Sequence, residues 1–202
     1  MIIFALLACR PDPGEPVYPD PEPWVLEGDD FYDDPLAVGE ERLALGVFYE
    51  GQATETLVVD DVTNHFYVYE NTFTNKPTDD RWEGYLADEL TNNGVGWWGG
   101  GVHWDTPRDV SGWDSLHVVA RTTVATEWDI GITGGGNEAR VSAASLGLVA
   151  DGEWHVLEVP LSSFSAGGAN LASVTVGLLL VGQGGAKGDT LTIDGVYYRR
   201  GL

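Results

Sequence analysis

The sequence predicts an all-β protein, an antiparallel β-sandwich, and three observations predict it. From residue 43 onward the chain breaks into short apolar or alternating runs rich in Val, Ile, Thr, Tyr and Trp. Clusters of Gly, Asn, Asp and Pro separate these runs. No long segment keeps a 3.6-residue apolar period, so helices are minor. The chain has 202 residues and 43% hydrophobic content, enough for one domain with a real core plus extensions.

The first element is "MIIFALLACR". A short apolar run ends in Leu6-Leu7-Ala8-Cys9, and Cys9 is the only cysteine. A single cysteine excludes an internal disulfide and a cysteine-based zinc site. The run is too short to span a bilayer as a helix. It resembles the lipobox of bacterial lipoproteins, in which the chain is cut before the cysteine and the thiol carries lipid. It departs from that pattern in having no basic residue between Met1 and the apolar run. The resemblance implies that residues 1–8 are a signal remnant and that Cys9 is the lipidated residue. It also implies a cell-envelope location, at the outer membrane or cell surface, because Arg10 stands where an acidic inner-membrane retention residue would be.

Residues 9–42 read as a tether. "RPDPGEPVYPDPEPW" alternates proline and acid and offers almost nothing to bury. The acidic texture continues through "EGDDFYDDPLAVGEE". Residues 10–42 hold 11 acids and 2 bases, and residues 43–202 hold 21 acids and 8 bases. The sandwich region is therefore acidic in its own right, at −13 of the total −22. Such a charge repels nucleic acid and anionic membrane surfaces, leaving neutral or cationic partners. Contact with a membrane is expected only through the lipid anchor.

Residues 43–202 read as the sandwich. Its strands are expected in "LALGVFYE", "TETLVVDD", "HFYVYENTF", "SLHVVARTTV", "EWDIGIT", "EARVSAA", "EWHVLEVPL", "SVTVGLLLV" and "DTLTIDGVYY". In "HFYVYENTF", alternation puts Tyr67 and Tyr69 opposite Phe66 and Val68. In "EWDIGIT", Trp128, Ile130 and Ile132 share one buried face. In "TLTIDGVYY", Leu191 and Ile193 are out of phase with Val196 and Tyr198. All four stay inside only if one residue is inserted, which predicts a β-bulge at Asp194-Gly195. "ITGGGNEAR" lacks the strand-to-helix context of a nucleotide loop and reads as a hairpin. A single helical turn is expected in "DRWEGYLADEL".

Three segments carry a resemblance at the level of a superfamily. "DVSGWDSLHVVAR", "DGEWHVLEVPLSSF" and "GDTLTIDGVYYRR" resemble, in order and spacing, the corresponding segments of galactose-binding-like jelly rolls. They cover roughly Asp109 to Arg200. That superfamily includes carbohydrate-binding modules of glycanases and complex I intermediate-associated proteins, which act in assembly. The resemblance implies a jelly roll that binds polysaccharide without catalysis, or one that uses the same fold to hold a protein partner.

The stretch "NNGVGWWGGGVHWD" supplies what a sugar site needs. Sugar rings have apolar faces that stack on aromatic side chains, and glycine leaves room for the ligand to approach. Trp97 and Trp98 must point in opposite directions in an extended chain, so one of them is core. Val102 and Trp104 share a face, and His103 shares the other with Gly101. The candidate carbohydrate-binding residues are Trp97, Trp98, His103, Tyr67 and Tyr69.

No catalytic motif is present. His65, His103, His117 and His155 form no HExxH pair, and there is no G-x-S-x-G elbow or P-loop. His117 and His155 lie in expected strands and read as structural. Glu70 and Glu83, near aromatics, are the best-placed carboxylates for a glycosidase-like pair, the less favoured expectation. Many jelly rolls hold a structural calcium on acids near the first and last strands, and the resemblance implies Glu50, Asp60 and Asp194 as ligands.

Overall fold

The computed structural model describes residues 39–45, 56–59, 62–83 and 86–201. Cys9, Glu50, Asp60 and residues 9–38 of the expected tether lie outside the described residues. The end of that tether is corrected, because Glu41 and Arg42 pair with Arg200 and Arg199 of the last strand as part of the sandwich. Twelve strands are present among those described, in two antiparallel sheets. The first sheet contains β1 (Glu41–Ala44), β4 (Phe73–Thr78), β5 (Ala87–Asn92), β7 (Ser115–Thr122), β10 (His155–Pro160) and β12 (Thr190–Arg200). Its order is β10-β7-β12-β5-β4, with β1 also pairing to β12. The second contains β2 (Thr56–Val59), β3 (Val62–Val68), β6 (Trp97–Arg108), β8 (Glu127–Gly134), β9 (Asn137–Ser142) and β11 (Val174–Gln183), in the order β2-β3-β6-β11-β8-β9. The antiparallel sandwich expected from the sequence is the architecture found. No helix among the described residues is long and apolar enough to cross a membrane.

The core lies between the sheets and is built by alternation. Trp128, Ile130 and Ile132 on β8 face inward, as do Phe66 on β3, Val102 and Trp104 on β6, and Leu178 and Leu180 on β11. The first sheet answers with Leu90, Leu116, Val118, Leu157, Leu191 and Ile193. The expected bulge is present: the pairing of β12 with β7 shifts between Asp194 and Tyr197, and Gly195 takes φ +53. The extra residue returns Val196 and Tyr198 to the core beside Leu191 and Ile193. "ITGGGNEAR" is the expected hairpin, turning at Gly135-Gly136 between β8 and β9.

Among the described residues of "DRWEGYLADEL" the expected helical turn is not found. Ala87–Asn92 is a strand held between β4 and β12, with Leu90 paired to both Asn75 and Leu191. Ladder pairing on both sides and full burial of Leu90 outweigh the local helical tendency. The one α-helix among the described residues, α1 (Leu161–Ala166), follows β10 in the "PLSSF" segment and buries Leu161 and Phe164.

Candidate functional site

The outward face of the second sheet gathers the aromatic candidates. Strand register arranges this face in rows running across the strands. One row is Trp97, Gln183 and Glu127. The next is Gly99, Val181, Asp129 and Ser142. The third is Tyr67, Gly101, Leu179, Gly131 and Arg140. The fourth is His65, His103, Val176, Thr133 and Glu138. The floor thus has glycines at 99, 101 and 131 and an apolar strip of Val176, Leu179 and Val181. Register shifts in β11 between Val176 and Leu179 bring all three of its apolar side chains to this face.

Why the chain needs "WWGGG" is now visible. A side chain at Gly99 would lie 2.1 Å from the Trp97 ring, so Trp97 lies across the space that Gly99 leaves empty. A side chain at Gly101 would meet the Tyr69 hydroxyl at 2.8 Å and Val176 at 3.1 Å. Gly100 points the other way, and a side chain there would meet Phe73 at 2.6 Å in the core. On the open face Gly99 leaves room for the Trp97 ring and Gly101 for the Tyr69 hydroxyl, and the glycine between them lets Phe73 pack.

Tyr69 reaches over the face from a tight turn. The turn closes by a hydrogen bond from the Thr72 N–H to the Tyr69 carbonyl at 3.0 Å, with Glu70 and Asn71 both at positive φ. Thr72 anchors it to β6: its Oγ1 accepts from the Gly99 N–H at 3.0 Å and donates to the Gly99 carbonyl at 3.1 Å. The Tyr69 oxygen lies 2.7 Å from His103 Nε2. Burial first, and then the charge of Glu138, push the Tyr69 hydroxyl up to about 12, with Arg140 opposing. It therefore stays protonated, in hydrogen-bond contact with the His103 ring. Burial, and then His65, hold His103 below its ordinary value, which favours the neutral ring.

Tyr67 is half exposed and meets His103 edge-on at 5.0 Å between ring centroids. On its other side it stacks on His65 at 5.7 Å. His65 Nε2 lies 2.8 Å from Asp105 Oδ1. The result is a continuous aromatic ridge, His65–Tyr67–His103–Tyr69, with Trp97 farther along β6 beyond the Gly99 row. Asp129 and Arg140 stand across the floor; no sequence motif marked either of them.

Of the sequence candidates, the structure brings Trp97, Tyr67, Tyr69 and His103 to one face. Trp98 is corrected. It has no exposed surface, tilts against Trp128 at 4.7 Å between centroids, and donates its Nε1–H to the Gly184 carbonyl at 3.0 Å. Alternation sends it inward when Trp97 goes outward, so it cannot stack a ligand. Trp104 is core with Val102, as expected.

Asp194 sits at the bulge. Its Oδ2 accepts from the N–H groups of Trp82 and Glu83 at 2.7 and 3.0 Å, and Oδ1 from its neighbour Gly195 at 2.8 Å. Among the described residues no group of three His, Cys, Asp or Glu side chains is placed to hold a metal. The three hydrogen bonds to Asp194 tie its carboxylate to the bulge and to the Trp82–Glu83 segment. Glu70 is exposed on the turn after β3, while Glu83 is buried against Gly195 of β12. His117 is buried; its Nδ1–H donates to the Gly195 carbonyl at 2.7 Å and its ring stacks on Tyr197 at 4.3 Å. His155 pairs with Asp151 on the surface at 2.9 Å.

No family model and no curated protein matches the sequence. Solved structures do match in fold. A family 11 carbohydrate-binding module from Clostridium thermocellum, in complex with a β-1,3-1,4-mixed-linked tetrasaccharide, superposes with a TM-score of 0.53 at 16% identity. The match covers 81% of this chain and 96% of that one. A family 30 carbohydrate-binding module of a cellulosomal cellulase from the same organism gives 0.50 at 15% identity, over 73% and 87% of the two chains. The extra C-terminal domain of an exo-1,3/1,4-β-glucanase from a Pseudoalteromonas species gives 0.50 at 11% identity, over 75% and 90%. The chain shares the two-sheet antiparallel jelly-roll fold of these carbohydrate-binding modules.

Proposed function

We propose that this protein is a noncatalytic carbohydrate-binding protein that lays a polysaccharide across the outward face of its second sheet. The observation that carries the reading is the glycine-floored face. Trp97 lies over Gly99 and Tyr69 over Gly101, beside a half-exposed Tyr67. Such a face offers flat apolar surfaces for sugar rings, with hydroxyl-binding groups at Tyr69, His103, Asp129 and Arg140. The fold neighbours support the reading in kind: one is described in complex with a tetrasaccharide and another belongs to a β-glucanase.

The test is affinity electrophoresis of the full chain through gels containing soluble polysaccharides, with β-glucans first. Retardation by one sugar class, with no new reducing ends after prolonged incubation, supports noncatalytic binding. No retardation by any polysaccharide, together with capture of a protein from the native envelope, would favour the interaction-protein reading.

In the same proposal the domain is held at the bacterial surface by lipid on Cys9 and a tether over residues 9–38. A fatty-acid probe should label the protein in its native cell, and Cys9→Ser should release it to the soluble fraction. Glu50, Asp60 and Asp194 are the candidate ligands of a structural calcium in this proposal. Elemental analysis of the purified protein tests for it, with a chelator-dependent fall in Tm as the companion measurement.

A further inference from the structure

The charges around the binding face are one-sided. From its strands, Asp105, Glu127, Asp129 and Glu138 project on the open side, and Glu70 stands exposed on the adjoining turn. Arg140 is the one Arg or Lys projecting from this face among the described residues, and Glu138 already engages it. Arg108, the other arginine of these strands, turns its guanidinium onto the Trp104 ring, 5.3 Å from the centroid. His65 is paired with Asp105, and His103 stays neutral through burial and the neighbouring His65.

Asp129 and Glu127 are not matched by any cation on the face among the described residues. They occupy the rows of the Trp97 platform, across Val181 and Gln183 from Gly99 and Trp97. A sugar stacked on Trp97 would run its edge toward them. A carboxylate there accepts hydrogen bonds from neutral hydroxyls, which are charge-assisted and strong. A carboxylate or sulfate on the sugar has no hydroxyl proton to offer at that position. It also meets like charge within one Debye length, roughly 10 Å. The overall charge of −22 adds a long-range barrier of the same sign.

We infer that the polysaccharide taken by this face is uncharged, and that Asp129 and Glu127 are the residues that turn away polymers bearing uronate, carboxymethyl or sulfate groups. Specificity here rests on a repulsive element set beside the attractive aromatic one. The inference depends on the face being a polysaccharide site.

The experiment uses matched polymers that share one backbone and differ in charge. Full-length protein is run by affinity electrophoresis against hydroxyethylcellulose and carboxymethylcellulose, and against arabinoxylan and glucuronoxylan. The neutral member of the binding pair should give an affinity at least about tenfold higher at low salt. The ratio should fall toward one as salt is raised to about 0.5 M, where the Debye length shrinks to roughly 4 Å. The double variant Asp129→Asn with Glu127→Gln should bring the low-salt ratio down by at least about threefold. An anionic polymer bound as well as its neutral partner at low salt overturns the inference and leaves the proposed function standing. So does a ratio unchanged in the double variant. The matched pair is made on whichever backbone retards the protein; retardation by no polysaccharide of any class removes the proposed function itself, and this inference with it.

Discussion

Tyr69 and His103 are joined across the open sheet face, the phenol oxygen 2.7 Å from Nε2 and the rings edge to face at 5.8 Å. This pair holds the Tyr69 hydroxyl over Gly101. Tyr69→Phe should keep the ring and the fold but lose about 1 kcal/mol of glycan affinity, the net worth of one hydrogen bond. Tyr69→Ala should lose at least about tenfold in affinity, or ~1.4 kcal/mol. Calorimetric titration with the retarding polysaccharide checks both, alongside melting curves.

Neighbouring glycines should separate binding from packing. Gly99→Ala places a methyl group against the far edge of the Trp97 ring, which can swing away. It should therefore weaken glycan binding with little change in Tm. Gly100→Ala forces a methyl group against Phe73 and to within 2.9 Å of the Tyr67 carbonyl oxygen. It should destabilise by ~1–3 kcal/mol, as overpacking does. Denaturant melts of the two variants, with the same glycan titration, check the split.

Two buried groups should make stability depend on pH in opposite senses. Burial, the dominant cause, holds His117 below its ordinary 6.5, so its contribution is complete above about pH 6.5 and is lost as pH falls from there through its folded value. Burial pushes Asp88 from 3.8 to about 7, with the charge of Asp194 adding to it. Its contribution is complete below pH 3.8 and is lost as pH rises through about 7. A side-chain hydrogen bond from Asn75 favours the charged form, but Oδ1 has no hydrogen-bond partner among the described residues and burial outweighs that support. Asp88→Asn should therefore gain stability over the native chain by ~1–3 kcal/mol above pH 7, and the gain should shrink toward pH 4. His117→Asn should flatten the acid side of the profile while lowering overall stability through the lost Tyr197 stack. Urea midpoints across pH 4–8 measure both.

How much of this is legible in the sequence follows from period and register. The bulge at Asp194-Gly195 can be read because a period of two forces a phase error to be absorbed somewhere, and Gly marks the place. Opposed directions for Trp97 and Trp98 follow from the same period, but which one faces inward does not. That depends on β11 and β8, where Gly182, paired with Trp98, leaves room for Trp128 in the core. The run "SVTVGLLLV" is apolar at nearly every position, so alternation cannot divide it. Its register shift, which delivers Val176, Leu179 and Val181 to the outer face, leaves no mark in composition. Asp129 and Arg140 belong to no motif and become site residues only through the pairing of β8 with β11 and β9. The strand at Ala87–Asn92 reads locally as a helical turn because one of its two ladder partners, β12, is distant in sequence.

The central claim is that the outward aromatics bind and the inward ones only pack. Three single variants, Trp97→Ala, Trp98→Ala and Trp104→Ala, measured together by thermal melting and glycan titration, test it most directly. Trp97→Ala should abolish retardation by the polysaccharide with Tm nearly unchanged. Trp98→Ala and Trp104→Ala should each cost ~3–5 kcal/mol of stability, the cost of a large aromatic cavity. Full glycan affinity in folded Trp97→Ala protein would contradict the account.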